Sequence, residues 1–84
     1  MYTFKELLEY KKEVQNCKIA LENGQLMDCI NFINDSEWYS DDDKDYVAMA
    51  IIDDIDKKRE NFPTAIAYFD QDLRFFAEKI EETA

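Results

Sequence analysis

The stretch from Ser40 to Asn61 alternates apolar and acidic positions with the period of an α-helix. At 100° per residue, five apolar side chains fall in one arc and five carboxylates fall in a narrow arc opposite. The apolar arc consists of Val47, Ala48, Ile51, Ile52 and Ile55. The acidic stripe consists of Asp42, Asp45, Asp53, Asp56 and Glu60. This pattern predicts an amphipathic helix, helix 3, that packs on one side and displays carboxylates on the other.

The chain before this stretch predicts two further helices. Thr3 and Glu6 form the Thr-x-x-Glu pattern of a capping box, and the helix they start is expected to run to Glu22, before Asn23-Gly24. Its apolar seam consists of Leu7, Tyr10, Val14, Cys17 and Leu21, widened at the front by Phe4 and Leu8. Its opposite side, expected to be solvated, carries Lys5, Glu9, Lys12, Glu13 and Asn16. A shorter helix 2, from Gln25 to about Asn34, is expected to be buried on much of its circumference.

Both ends of helix 3 carry charges that suit the helix dipole. Ser40 is a suitable N-cap, Asp41 to Asp43 occupy the first turn, and Lys57 to Arg59 are expected in the last turn. Asp54 lies at the edge of the apolar arc, so we expect it to pair with a lysine or to lie just outside the packed seam. The candidate partners are Lys11, Lys18 and Lys58.

Helix 4 is predicted from Pro63 to about Glu81, because proline suits a first helical turn. Its apolar seam consists of Phe62, Ile66, Phe69, Leu73, Phe76 and Ile80. Tyr68 and Phe75 lie on the flank of that seam. Two interpretations of this pair remain open: helix 4 contacts neighbours on two sides, or the two rings are exposed for a partner.

The fold class predicted from these elements is all-α, a small antiparallel bundle of three long helices and one short helix in a single domain covering residues 1–84. Helices 1, 3 and 4 are expected to pack together, and helix 2 is expected to close one end. Cys17 and Cys29 are expected to be buried, reduced thiols. The seam of helix 4 would also serve a coiled-coil partner, so a homodimer remains open.

The charge of the chain is negative and unevenly distributed. The formal net charge is −10, and residues 28–56 hold ten acids against Lys44 alone. Such a surface repels nucleic acid and membrane surfaces and attracts basic partners. We therefore expect a basic, nucleic-acid-binding protein as partner, with no direct nucleic-acid or membrane contact. No run approaches the length of a membrane span and the N-terminal residues are not those of a signal peptide, so we expect a cytoplasmic protein.

Catalytic and metal-binding patterns are missing from the sequence. The chain has no histidine, glycine-rich phosphate loop or nucleophile with a plausible base, so we expect neither an enzyme nor a cofactor. Asp41-x-Asp43-x-Asp45 resembles the start of a calcium loop. However, Tyr46 stands where that loop needs glycine and Ile52 where it needs glutamate, so no metal site is predicted.

Three hypotheses for function follow. The first is a stoichiometric inhibitor of phage or mobile-element origin, of the anti-CRISPR or anti-restriction type, whose acidic stripe occludes a basic nucleic-acid-binding surface. The second is an interaction or assembly module that uses exposed aromatic residues, with the charge serving only solubility. The third is an immunity-type or antitoxin-type inhibitor of a basic toxin. Beyond the acidic stripe, the candidate partner-binding residues are Asp35, Glu37, Trp38, Tyr39, Tyr68 and Phe75. Trp38 and Tyr39 are expected to cap one end of the core, and the functional alternative is an aromatic contact with the partner.

Overall fold

The computed structural model describes residues 2–83, which form four α-helices and, within that range, no strand. Helix α1 covers Phe4–Glu22, α2 covers Leu26–Asp35, α3 covers Asp41–Asp56 and α4 covers Pro63–Thr83. The predicted all-α class is confirmed, and the helices are 19, 10, 16 and 21 residues long. Among these residues, no helix combines the length and apolar character needed to cross a membrane.

Helix α1 begins at its predicted capping box. The Thr3 N–H donates to Glu6 Oε1 at 2.9 Å, and the Glu6 N–H donates to Thr3 Oγ1 at 3.1 Å. The buried positions of α1 are Leu7, Val14, Cys17, Ala20 and Leu21. Phe4 and Leu8 are instead exposed, so the predicted widening of the seam is wrong.

The loop between α2 and α3 is fastened to α1 by Glu13. The Glu13 carboxylate accepts hydrogen bonds from the Ser36 hydroxyl at 2.8 Å and from the Trp38 N–H at 3.3 Å. Glu13 is half-buried and belongs to the packing, although its position predicted a solvated side chain. Because this contact places the end of α2 beside the middle of α1, α2 covers only the C-terminal half of α1. Phe4 and Leu8 lie outside the covered half.

Helix α2 is buried on one side only. Cys29 and Ile33 are buried, whereas Met27 and Phe32 are exposed, so the predicted burial around much of its circumference is wrong. The physical reason is that α2 packs mainly on α1 and touches α3 only weakly. Cys17 and Cys29 are buried and free, as predicted. Burial raises the pKa of Cys17 to about 12 and that of Cys29 to about 11, which leaves both thiols protonated.

Helix α3 begins at the predicted N-cap, where Ser40 Oγ accepts a hydrogen bond from the Asp43 N–H at 3.2 Å. It ends at Asp56, and Lys57 forms the C-cap. The chain then leaves the helical path, since Lys58 has a φ of 54°. The prediction that Lys57 to Arg59 lie in the last turn is therefore wrong.

The packed side of α3 is rotated from the predicted arc. It consists of Val47, Ala50, Ile51 and Asp54. Ala48, Ile52 and Ile55, all predicted to pack, are exposed. Asp54 explains the rotation. Its carboxylate accepts hydrogen bonds from backbone N–H groups at the start of α4, and these bonds place the side of α3 that carries Asp54 in the core.

Asp54 is fully buried and caps the first turn of α4. Its Oδ2 accepts hydrogen bonds from the backbone N–H groups of Thr64 at 2.9 Å and Ala65 at 3.2 Å, and its Oδ1 lies 3.0 Å from Arg59 Nη1. The predicted cation is present, but it is Arg59 instead of a lysine. Burial by itself would raise the pKa of Asp54, yet the hydrogen bonds from Thr64 and Arg59 outweigh it and hold that pKa below its ordinary value.

Helix α4 lies between α1 and α3. Its fully buried residues are Ala65, Phe69 and Phe76, while the other members of the predicted seam, Phe62, Ile66, Leu73 and Ile80, are half-buried. Lys18 of α1 pairs with Asp70 of α4, and Asp54 of α3 binds α4 from the other side. The Cα atoms of α1 and α3 nowhere come within 8 Å of each other, so the three long helices do not all pack together as predicted. The molecule is elongated, with extents of 41 × 20 × 20 Å.

Candidate protein-binding surface

The side of α3 opposite its packed residues carries three of the five acids of this helix that form no ion pair within the described part of the chain. We call it the outer face of α3, and it consists of Asp42, Asp45, Met49, Ile52 and Asp56, all exposed. Its three carboxylates form no ion pair with any lysine or arginine of residues 2–83. Three of the five acids of the predicted stripe therefore stand together without a cation.

The other two acids of the predicted stripe, Asp53 and Glu60, do not lie on the outer face of α3. Asp53 Oδ1 lies 3.1 Å from Lys57 Nζ and Asp53 Oδ2 lies 2.8 Å from Arg59 Nη1, so the expectation of a cation-free stripe is wrong at this end. The hydrogen bonds from Arg59 and Lys57 hold the pKa of Asp53 below its ordinary value. Glu60 lies beyond the end of α3, because the helix stops at Asp56.

Lys44, which stands among the acids in the sequence, is turned away from the outer face of α3. Its Nζ donates a hydrogen bond to the main-chain carbonyl oxygen of Asn34 at 2.7 Å. This contact directs the charge toward α2. The only cation within α3 therefore leaves the carboxylates of the outer face uncompensated.

Two large apolar side chains occupy the centre of the outer face. Met49 is 63% exposed and Ile52 is 56% exposed, with Asp42 and Asp45 toward the start of the helix and Asp56 toward its end. An apolar centre with a charged rim is the usual anatomy of a protein interface. A surface whose charge served only solubility would not need two exposed apolar side chains at its centre.

A groove runs between α3 and α4 beside the outer face. Tyr46 of α3 and Tyr68 of α4 are both exposed, and both line two adjoining hollows of about 320 and 390 Å³. We call this feature the tyrosine groove. The first hollow continues to Asp43 and Asp72, and the second to Met49 and Ile52 of the outer face.

Asp72 is the half-buried carboxylate of the tyrosine groove. The buried Tyr39 hydroxyl donates a hydrogen bond to Asp72 Oδ2 at 2.7 Å. Burial raises the pKa of Asp72, against the opposing effect of hydrogen bonds from Tyr39 and Trp38, and the nearby charge of Asp43 adds a smaller upward effect. Burial and the bond to Asp72 likewise raise the pKa of Tyr39, so its phenol keeps the proton that it donates.

Two of the remaining aromatic candidates, Trp38 and Phe75, lie within an aromatic cluster. The Trp38 ring stacks on Phe75 with 5.7 Å between centroids and meets Phe76 edge-on at 4.7 Å. Trp38 and Phe75 are half-buried and Tyr39 is buried, so Tyr68 alone of the four candidate rings is exposed. Helix α4 contacts α1 on one side and α3 on the other, and Phe75 is packed, as the first interpretation expected. Tyr68 is exposed, as the second interpretation expected. The acidic candidates of the preceding loop, Asp35 and Glu37, are exposed.

Sequence reasoning did not identify Tyr46, Met49 or Asp72 as surface candidates. For Tyr46 and Met49, a signal was present: at 100° per residue Met49 falls within the arc of the acidic stripe and Tyr46 falls beside it. For Ile52, the missing information is the rotation of α3, which turns this side chain into solvent. For Asp72, a signal was present: Tyr68 and Asp72 are four residues apart, which places both on one side of α4. The tyrosine groove itself depends on how α3 sits against α4, and no local pattern encodes that.

No protein-family model matches this chain, and no curated protein or solved structure shows detectable similarity to it. Within residues 2–83, no group of three or more acidic or cysteine side chains is arranged to hold a metal ion.

Proposed function

We propose that this protein is a small, non-enzymatic inhibitor that binds a basic nucleic-acid-binding protein and covers the surface on which nucleic acid would lie. In this proposal the four helices form an antiparallel bundle that holds the outer face of α3 toward the partner. The partner class is that of restriction or CRISPR nucleases, and the inhibitor acts in the cytoplasm as a phage or mobile-element counter-defence protein.

The observation that carries the proposal is the exposure of Met49 and Ile52 between uncompensated carboxylates. Helix α3 has seven acids and a single cation, Lys44, which is directed to Asn34. Carboxylates at the rim attract a basic surface and accelerate association, while the apolar centre supplies the burial that keeps the complex together. This combination favours a protein partner over a role for the charge in solubility alone.

Occlusion fits the dimensions of the face better than close imitation of a duplex. From Asp42 to Asp56 the helix extends about 21 Å at 1.5 Å per residue. One DNA strand carries roughly six phosphates over that length, at about 3.4 Å per phosphate. The outer face offers three unpaired carboxylates over the same distance. Competition for a basic groove, strengthened by apolar contact, is therefore the mechanism we propose.

A charge-matched pair of variants tests this proposal. The first variant, Asp42→Asn/Asp45→Asn/Asp56→Asn, removes three charges from the outer face. The control, Glu9→Gln/Glu78→Gln/Glu81→Gln, removes three charges from exposed positions of α1 and α4. Because both variants have the same net charge, any difference between them reports where the charge lies.

Each variant is immobilised and used to capture proteins from the cells that carry the gene, and captured proteins are then tested for DNA or RNA binding by gel shift. We expect the wild type and the control to retain a nucleic-acid-binding protein and to displace its nucleic acid at equimolar ratio. The outer-face variant should associate at least about tenfold more slowly at low salt. Equal binding by the two variants, or a captured partner that does not bind nucleic acid, would contradict the proposal.

A further inference from the structure

The tyrosine groove contains a carboxylate whose charge has no counterpart in the described chain. Asp53, Asp54 and Asp70 each pair with a lysine or arginine. Asp72 forms no ion pair with any cation of residues 2–83, and its neighbour in the same hollow, Asp43, is also an acid. The Asp72 carboxylate accepts hydrogen bonds from the neutral donors Tyr39 and Trp38, but these carry no charge, so a cation would further stabilise a half-buried carboxylate that has a second carboxylate beside it.

The walls of this hollow suit a flat cation. Tyr46 of α3 and Tyr68 of α4 both line this hollow, and aromatic faces attract cations through their negative quadrupole. A guanidinium group stacks on such rings and donates several N–H groups in one plane to carboxylate oxygens, which a lysine ammonium does not. The hollow measures about 320 Å³, at the lower limit for small-molecule pockets, and therefore has room for one side chain.

We propose that the hollow between Tyr46, Tyr68 and Asp72 binds an arginine side chain of the partner protein. Asp72 and Asp43 accept hydrogen bonds from the guanidinium, and the two tyrosine rings lie against its faces. This inference rests on the proposed function, since it assumes a basic partner, and it names the residue type by which that partner is recognised. The adjoining apolar surface of Met49 and Ile52 receives the residues around that arginine.

A second copy of this chain is a poorer occupant than a basic partner. Its own arginines are Arg59, which is engaged by Asp53 and Asp54, and Arg74 on α4. Insertion of Arg74 would bring two molecules of net charge −10 together along their acidic grooves. Measurement of the molecular mass in solution, at low and high salt, accompanies the binding test. A dimer that Arg74→Gln dissociates would assign the hollow to a second copy and overturn the proposal.

The test uses the whole protein and three small probes in an NMR titration. The probes are the N-acetyl methylamides of arginine, lysine and citrulline, the last being a neutral isostere of arginine. We expect the arginine probe to produce saturable shifts at Trp38, Tyr46, Tyr68 and Asp72. The lysine probe should bind at least about threefold more weakly, and the citrulline probe at least about tenfold more weakly. Equal shifts with arginine and citrulline, or shifts spread evenly over all exposed acids, would overturn the proposal.

Variants assign the contacts. Asp72→Asn should weaken the arginine probe about tenfold, whereas Asp70→Asn, on the α1-facing side of the same helix, should leave its affinity unchanged. Tyr68→Leu should weaken binding about threefold, and Tyr68→Phe should retain it, because the ring and not the hydroxyl makes the contact. Loss of binding in Asp70→Asn equal to that in Asp72→Asn would show a general charge effect and overturn the assignment.

The same variants separate this inference from the proposed function. If Asp72→Asn loses the arginine probe but binds the captured partner with unchanged affinity, the arginine hollow is not part of the interface and this inference fails, while the outer face of α3 stands. If the outer-face variant binds the partner as the wild type does, the proposed function fails, whatever the hollow binds.

Discussion

Arg59 Nη1 lies 3.0 Å from Asp54 Oδ1, a fully buried carboxylate, and 2.8 Å from Asp53 Oδ2, which is partly exposed. One guanidinium thus joins two adjacent acids of very different environments. The inner acid also caps α4 through the N–H groups of Thr64 and Ala65. We therefore expect the connection between α3 and α4, and with it the tyrosine groove, to depend on the inner contact far more than on the outer one.

The two acids should therefore respond very differently to removal. Asp54→Ala leaves Arg59 without its inner partner and two backbone N–H groups at the start of α4 without an acceptor, so it should lower the free energy of unfolding by about 3 kcal/mol or more. Asp53→Ala removes a partly exposed ion pair and should cost less than about 1 kcal/mol. Urea denaturation followed by circular dichroism measures both.

Asp54→Asn provides an intermediate case in the same experiment. Its amide oxygen can still accept from Thr64, but it carries no charge for Arg59. We expect its stability to fall between that of the wild type and that of Asp54→Ala. Equal losses for the Asp53 and Asp54 alanine variants would show that the buried cap does not hold α4.

Stability in acid should follow the same carboxylate. The pKa of Asp54 is lower in the folded protein than its ordinary value, so the unfolded chain binds this proton more readily. The contribution of Asp54 to the free energy of unfolding is therefore fully present above the ordinary carboxyl pKa. It is lost as the pH falls through the pKa that Asp54 has in the folded protein. We expect the free energy of unfolding of the wild type to decline below about pH 4 more steeply than that of Asp54→Asn. Parallel pH profiles would assign the acid sensitivity to other groups.

The sequence allowed local features to be predicted well. The capping box at Thr3, the N-cap at Ser40 and the helix start at Pro63 depend on neighbouring residues, and each is observed. The all-α class follows from such signals together with the helical period. The side of a helix that becomes buried is set by its neighbours, and a local pattern describes it only approximately.

Helix α3 demonstrates the difference. A count of apolar residues placed Ile52 in the core and Asp54 at its edge, because hydrophobicity alone favours the isoleucine. In the structure, Asp54 is inside because it meets Arg59 and the backbone N–H groups of Thr64 and Ala65. These N–H groups reach Asp54 only when α4 packs beside α3. The acidic stripe was therefore predicted in part, while the apolar centre of the outer face and the tyrosine groove were not.

Adjacent isoleucines test this rotation directly. Ile51 is 3% exposed and Ile52 is 56% exposed, so the same substitution is made one residue apart. Ile51→Ala should lower the free energy of unfolding by about 2–4 kcal/mol through lost burial and a cavity. Ile52→Ala should change it by less than about 0.5 kcal/mol. Similar losses at the two positions would favour the apolar arc predicted from the sequence over the observed packing.

The ionised carboxylate of Asp72 should lower the free energy of unfolding of the protein at neutral pH. Burial and the charge of Asp43 raise its pKa in the folded protein, so the folded state holds this proton more tightly than the unfolded chain does. The corresponding stability is fully present below the ordinary carboxyl pKa and is lost as the pH rises through the raised value. At neutral pH, Asp72→Asn should then be more stable than the wild type by about 0.5 kcal/mol, the size of a repulsion between neighbouring like charges.

Thermal unfolding at pH 7 and at pH 3.5 measures this difference. The gain should shrink at the lower pH, because the raised pKa of the wild-type carboxyl favours its neutral form there. The asparagine oxygen can still accept the hydrogen bond from Tyr39 at both pH values. Asp70→Asn is the control, since it loses an ion pair with Lys18 and should gain no stability at pH 7. A variant Asp72→Asn that is less stable than the wild type at neutral pH would mean that the charge itself stabilises the fold. If Asp72→Asn is instead more stable than the wild type and binds arginine weakly, the Asp72 carboxylate destabilises the fold and serves binding.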